Sequence, residues 1–316
     1  MKPFNRNHSP GLRIFAPDKK CKNSQMFRVE IDPDAGLCSG VKKAVLMAEK
    51  ALKGEDALLC LGEIVHNEAE TERLRKMGLE TIDNEIFDEL HNKKILIRSH
   101  GEPPETYEKA ISNNIELMDA TCPVVLRLQQ KIRRAWEAGF EKGVQVVIAG
   151  KKNHPEVISL NGQTNYASIV IENETDLVRI DPAKPVELFA QTTFSKANYA
   201  ELVRQIAAMV NREGNKDGLK VHHTICGQVA NRVPKLKEFC SRYDVILFVA
   251  GKNSSNGKAL FETCRQSNKN AYHISTHQEI DRVWIKDAKN IGISGATSTP
   301  VWQMEAVRNA IMDLNR

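Results

Sequence analysis

Short apolar runs alternate with longer stretches of helical spacing along most of this chain. Runs rich in Val, Ile and Leu, bounded by Gly, Asn and Pro, fall at 27–31, 57–62, 94–98, 115–118, 144–149, 168–171, 186–190, 219–222, 244–249, 270–273 and 290–294. Each predicts a buried β-strand. Between them, apolar residues recur every three or four positions over 41–52, 68–77, 125–138, 197–211, 230–240 and 300–314. That spacing predicts amphipathic helices. Alternation of this kind builds βαβ units, so the chain reads as an α/β protein with mainly parallel sheets.

Three places share one local plan. A strand ends, a cysteine follows, and a helix starts: at Cys38 before Ser39, at Cys122 before Pro123, and at Cys226 before Gly227. Pro123 suits a first helical position, where no N–H is needed. A thiolate at a helix N-terminus is favoured by the macrodipole. The cysteines lie 84 and 104 residues apart, the size of a small α/β unit. Three units are therefore expected, at 27–120, 121–222 and 223–316, with the C-terminal segment packing back on the first.

Composition narrows the picture. Of the 316 residues, 41% are hydrophobic and 27% charged, enough for a sizeable core and too apolar for a disordered chain. No apolar run reaches the ~18 residues of a membrane span. No apolar secretion signal is visible, so a cytoplasmic location is expected. The net charge of +5 collapses on inspection, because residues 1–26 hold six basic residues and one acid. The remainder is neutral, which argues against nucleic-acid binding. Residues 1–26 read as a basic, flexible leader. Seven cysteines, an odd number at wide spacings, argue against a disulfide framework. Cys60, Cys240 and Cys264 sit inside strand or helix patterns and read as core, and Cys21 as a free thiol of the leader. For Cys38, Cys122 and Cys226 the shared plan sets a joint metal site against ordinary burial.

In open α/β folds, ligands bind beyond the carboxyl ends of strands. Those ends carry His66-Asn67, Ser99-His100-Gly101, His154-Pro155-Glu156, Gln191-Thr192-Thr193, Ser254-Ser255-Asn256 and Thr297-Ser298. Each alone reads as a turn or a helix cap. Together they line one edge with neutral donors, which suits phosphate or diphosphate. Glu156, two residues after His154, reads as the one acid beside a histidine in these loops and as a candidate proton donor. Three thiolates beside such a pocket point to an iron–sulfur cluster with one open iron, since a closed zinc site wants four protein ligands.

From about residue 28 onward the chain resembles the LytB/IspH family of 4-hydroxy-3-methylbut-2-enyl diphosphate reductases. The resemblance rests on an ordered series: Gly36-Leu-Cys38-Ser-Gly40, Val65-His66-Asn67, Ser99-His100-Gly101, Asp119-Ala-Thr-Cys122-Pro123, His154-Pro-Glu156, Gln191-Thr-Thr193, Ile225-Cys226 with Asn231-Arg232, Gly251-Lys-Asn-Ser-Ser-Asn256, and Gly295-Ala with Thr299-Pro300. It implies a trefoil of three small α/β units around a central 4Fe–4S cluster held by Cys38, Cys122 and Cys226, one iron being left open. The implied reaction removes the substrate hydroxyl with two electrons and two protons. It yields isopentenyl and dimethylallyl diphosphates, the last step of the non-mevalonate pathway. By resemblance, His66, His100, His154, Ser254, Ser255, Asn256 and Ser298 hold the diphosphate. Glu156 delivers a proton, His154 supports its relay, and Thr192 orients the hydroxyl. An electron donor such as ferredoxin or flavodoxin is implied, with a monomer or homodimer as the working form.

The sequence departs from the family pattern in places. Glu68 stands where Arg is usual after His-Asn, Ser99 where Ala is usual, and Gly227–Ala230 replaces a Tyr-Ala-Thr-Thr stretch. The last motif is one residue longer, leaving Ser298 and Thr297 as alternatives. The altered Gly227–Ala230 stretch and the basic leader motivate a second reading, a non-catalytic iron–sulfur paralogue serving as a sensor or ribosome-associated factor. A zinc hydrolase finds no His-x-x-x-His spacing to support it.

Overall fold

The computed structural model describes residues 28–212, 214, 218–252 and 254–314, without the Ser255 side chain. The expected leader with Cys21, Phe27, and the Ser255 side chain therefore lie outside the described residues.

Twelve strands are present among the described residues: β1 (Arg28–Ile31), β2 (Leu58–Leu61), β3 (Leu79–Ile82), β4 (Lys94–Ile97), β5 (Glu116–Asp119), β6 (Gln145–Ala149), β7 (Ile169–Ile171), β8 (Val186–Ala190), β9 (Leu219–Val221), β10 (Val245–Val249), β11 (Ala271–Ile274) and β12 (Asn290–Gly295). The α-helices are α1 (Ser39–Leu52), α2 (Glu68–Lys76), α3 (Asn84–Glu89), α4 (Pro104–Ser112), α5 (Pro123–Gly139), α6 (Pro155–Gly162), α7 (Lys196–Arg212), α8 (Gly227–Cys240), α9 (Ser255–Ser267), α10 (Arg282–Ile285) and α11 (Val301–Asp313). Eleven strands fall where the apolar runs place them. The twelfth, β3, has buried Leu79 and Ile82 around exposed Glu80 and Thr81, so it shows neither a continuous apolar run nor alternation.

The strands form three four-stranded sheets ordered β3-β2-β4-β5, β7-β6-β8-β9 and β11-β10-β12-β1, and every pairing is parallel. The three orders are the same order. In each, the first strand of the unit is central, the second is an edge, the third crosses to the other side, and the fourth lies outermost. In the third sheet that fourth place is taken by β1. The expected boundary at 27–120 is thus corrected: β1 belongs to the C-terminal sheet, and a unit begins at a cysteine helix. The physical reason is pairing, since Arg28–Ile31 runs in register with Asn290–Ile293.

Both faces of the sheets are covered. Ala44, Val45 and Ala48 of α1 pack on Leu58, Cys60 and Leu96, while Phe87 and Ala110 pack on Leu61, Ile95 and Ile97 of the opposite face. This two-sided burial explains why the strands read as continuous apolar runs. Cys60, Cys240 and Cys264 are fully buried core residues.

A buried ion pair closes the third sheet. Asp32, just past β1, accepts from Arg232 Nη2 of α8 at 2.8 Å and from Ser294 Oγ of β12 at 2.8 Å. Arg232 also donates to the Gly295 carbonyl at 3.2 Å. Asp32 and Arg232 are 3% and 4% exposed. Removing one partner strands the other charge, so Arg232→Met is expected to lower stability by about 3–5 kcal/mol. Denaturant unfolding checks this; a loss under about 1 kcal/mol would refute the pair's role in closing the sheet.

Candidate active site

The repeated sheet order explains how distant residues meet. In each unit the outermost strand leads into a cysteine that caps a helix. Cys122 follows β5 and caps α5, Cys226 follows β9 and caps α8, and Cys38 follows β1 and caps α1. All three have extended backbone at the cap. Each cysteine N–H donates to a carbonyl two residues past the end of the neighbouring third strand: Cys122 to Ser99 at 3.0 Å, Cys226 to Thr192 at 2.8 Å and Cys38 to Thr297 at 3.0 Å. One stitch is used three times.

The thiols converge. A Cβ built on Gly40 would lie 2.9 Å from Cys122 Sγ, so only glycine lets α1 start against the second cysteine. Burial pushes the Cys38 thiol up, Val41 and Gly40 N–H groups oppose this, and Cys122 and Cys226 add to the rise. Three cysteine sulfurs close enough to influence one another, each at a helix start, make a donor set that fits an iron–sulfur group.

The helix after each first strand supplies a second set of caps. Asn67 Oδ1 caps α2 by accepting from Glu70 N at 3.0 Å, and Ser254 Oγ caps α9 by accepting from Gly257 N at 3.0 Å. His154 Nδ1 caps α6 by accepting from Glu156 N at 3.1 Å. This bond leaves Nδ1 unprotonated, so neutral His154 carries its proton on Nε2 and can donate it. Burial, then His66 and Lys151, push His154 down to about 4. Burial, then His154, Arg98 and His66, hold His100 well below the usual histidine range. The rings of His66, His100 and His154 lie 5.1–6.3 Å apart by centroid, with one nitrogen of each within 4.8 Å of the others. The lack of close His spacing in the sequence therefore did not keep them apart.

Glu156 is 1% exposed and bound to one residue. Its Oε1 accepts from Thr192 N at 2.6 Å and its Oε2 from Thr192 Oγ1 at 2.8 Å. Burial raises its carboxyl to about 7 against the lowering effect of both bonds. The Thr192 carbonyl also accepts from Cys226 N, so Thr192 joins the acid to the backbone of the third cysteine. On the remaining side, Ser254 Oγ lies 3.3 Å from Ser298 Oγ, and Asn256 Nδ2 donates to Thr297 Oγ1 at 2.7 Å. Thr297 and Ser298 thus both line this side, each against a different residue of α9's first turn.

Two acids escaped the sequence reading. Glu63 Oε2 lies 3.2 Å from His66 Nδ1. Glu102 stands two residues after His100, as Glu156 does after His154, and that parallel was the available signal. Burial raises Glu102 to about 7, and Arg98 opposes the rise from 3.7 Å. The Arg98 guanidinium lies over Gly62, where a Cβ would fall 2.2 Å from its Nη1. Glu68 lies against Gly251, whose Cβ would fall 2.4 Å from Glu68 Oε2.

The chain matches the LytB protein family over residues 29–312. It is 48% identical over 292 residues to a 4-hydroxy-3-methylbut-2-enyl diphosphate reductase of Parabacteroides distasonis, covering 92% of this chain and 99% of that protein. It is 47% identical over 286 residues to the same reductase of Bacteroides thetaiotaomicron, covering 90% and 98%. Among solved structures, that of (E)-4-hydroxy-3-methyl-but-2-enyl diphosphate reductase, the terminal enzyme of the non-mevalonate pathway, aligns with TM-score 0.72 and 34% identity over 91% of this chain and all of that one. The Plasmodium falciparum E-1-hydroxy-2-methyl-but-2-enyl-4-diphosphate reductase shares the fold at TM-score 0.74 and 24% identity, over 90% of this chain and 87% of that one. With its trefoil of like-ordered sheets, its three thiols on one repeated stitch and this extent of likeness, the chain belongs to the LytB protein family.

Proposed function

We propose that this chain reductively removes the hydroxyl of (E)-4-hydroxy-3-methylbut-2-enyl diphosphate, giving isopentenyl and dimethylallyl diphosphates at a 4Fe–4S cluster held by Cys38, Cys122 and Cys226. The observation that carries the reading is Thr192: it binds Glu156 through its N–H and hydroxyl, and its carbonyl accepts from the third cysteine. A proton donor is thereby tied to the backbone of a cysteine whose thiol can hold a redox group. A sensor has no use for such an acid. When bound, the cluster supplies the electrons and a Lewis-acidic iron at the C–O bond.

The chain's own residues supply the rest. Glu156 keeps its proton to about 7 and can give it to the departing hydroxyl, which leaves more easily as water. Thr192 fixes both oxygens of that carboxyl and orients the substrate hydroxyl. The diphosphate is held by side-chain donors: the Nε2–H of His154, the imidazoles of His66 and His100, and the first turn of α9 with Ser254, Ser255 and Asn256. Ser254 already accepts its cap bond, so its hydroxyl proton is free to point at Ser298 or a phosphate oxygen. Helix N-termini at α6 and α9 add their dipoles. Gripping the remote diphosphate positions the reacting carbon.

Ser254→Ala is expected to raise KM about two- to tenfold with kcat changed less, since one neutral donor contributes roughly 0.5–1.5 kcal/mol. Steady-state kinetics with the hydroxymethylbutenyl diphosphate and a chemical reductant under anaerobic conditions measure this. No turnover by the wild-type, iron-loaded protein in that assay would reject the proposed function.

A further inference from the structure

The proposed reaction consumes two electrons, which must reach the thiols from outside. The three cysteine helices begin at the surface, where Ser39, Pro123, Gly227 and Gln228 are exposed one or two residues past a thiol. Ser39 N and Oγ both lie 3.2 Å from Gln228 Oε1, so α1 and α8 begin side by side. Gly40 packs on Cys122, which brings the start of α5 to the same place. First turns normally favour acids, yet none of the three contains one. The rim around the thiols is left electropositive.

The exposed face of α1 continues that rim. Ser39, Lys42, Lys43, Leu46, Lys50 and Lys53 are exposed at one-turn spacing. Leu46 is 52% exposed and lines a shallow depression with Met47 and the three lysines 42, 43 and 50. Neighbouring acids are engaged elsewhere: Glu49 binds Arg73 at 2.6 Å and Glu55 binds Lys94 at 2.9 Å. Arg127, one turn beyond Pro123, is exposed as well. An apolar centre ringed by cations beside a redox site has the form of an interface for an anionic partner.

We propose that this face of α1 docks an acidic, one-electron carrier protein. The inference rests on the function proposed above. Two reduced carriers dock in turn, each losing one electron and leaving oxidised. The two electrons, with two protons from solvent, break the C–O bond and release water. Lys42 and Lys43 stand roughly 6–8 Å along the helix axis from Cys38, so a partner centred on them also covers the three helix starts.

The test uses the double variant Lys42→Glu with Lys50→Glu in the full iron-loaded chain, and an acidic flavodoxin as the partner. Calorimetry reads binding of oxidised flavodoxin at low and high salt. Turnover is driven in parallel by reduced flavodoxin and by reduced methyl viologen. Wild-type binding should weaken with salt. The variant should lose it and fall about tenfold or more in flavodoxin-driven kcat/KM, with the viologen-driven rate unchanged. Leu46→Ala should weaken binding while keeping its salt dependence. Unaltered flavodoxin binding by the double variant overturns the proposal. So does an equal loss in the viologen-driven rate, which marks damage to the site instead. A wild-type protein that is inactive with viologen fails the functional reading, while calorimetry still reports on docking.

Discussion

Glu156→Gln leaves a folded, iron-loaded protein whose kcat is lower by about 10²–10⁴-fold, the usual range for losing a positioned general acid. The amide fits the same space and can still accept from Thr192, but it has no acidic proton to give. The wild-type carboxyl stays protonated well above the ordinary range and empties as pH rises through about 7. Wild-type kcat/KM is therefore expected to fall on the alkaline side of that value, and the variant to lack this limb. Stability carries the same signature. Between about 4.5 and 7 the folded chain binds this proton more tightly than the unfolded chain does, so this contribution is full at low pH and is lost as pH rises through about 7. Stopped-time assays across pH, with iron content checked in each preparation, measure the effect. Wild-type turnover by the variant would remove Glu156 from the reaction.

Cys122→Ser is expected to abolish the brown colour, the bound iron and sulfide, and turnover together. Serine stays protonated where a thiolate is needed, and the two remaining thiols cannot hold the group. Gly40→Ala should act in the same direction without replacing a sulfur, because its Cβ would press on Cys122 Sγ. Metal and sulfide analysis of anaerobically prepared protein decides the matter. Zinc without sulfide, unaffected by Cys122→Ser, would instead favour a metal held by His66, His100 and His154, whose nitrogens already lie close together.

Much of this was readable along the chain. The central strands predicted from apolar runs are buried almost throughout, and each of the three strand–cysteine–helix junctions is present. The reading failed where burial leaves a weaker trace. β3 fits neither template because its two central residues, Glu80 and Thr81, are polar and both exposed. Glu102 was passed over because its chemistry comes from burial beside Arg98, which no local pattern encodes. Placing 27–31 in the first unit was a reasonable reading of chain order. Pairing with β12 across some 260 residues overrode it, since strand partners are chosen by register and buried area, not by proximity in sequence.

By itself the sequence determined eleven of the twelve described strands, which cysteines start helices, and which polar groups stand at strand ends. These are local matters of periodicity, capping and turn chemistry, set within a few residues. Only the tertiary structure decided that the three sheets share one order, that β1 completes the third, and that Cys38, Cys122 and Cys226 meet. It alone placed Thr192 between Glu156 and the backbone of Cys226, and raised that carboxyl toward neutrality. Those outcomes depend on burial and on contacts between distant segments, which exist only once the sheets have closed around the site.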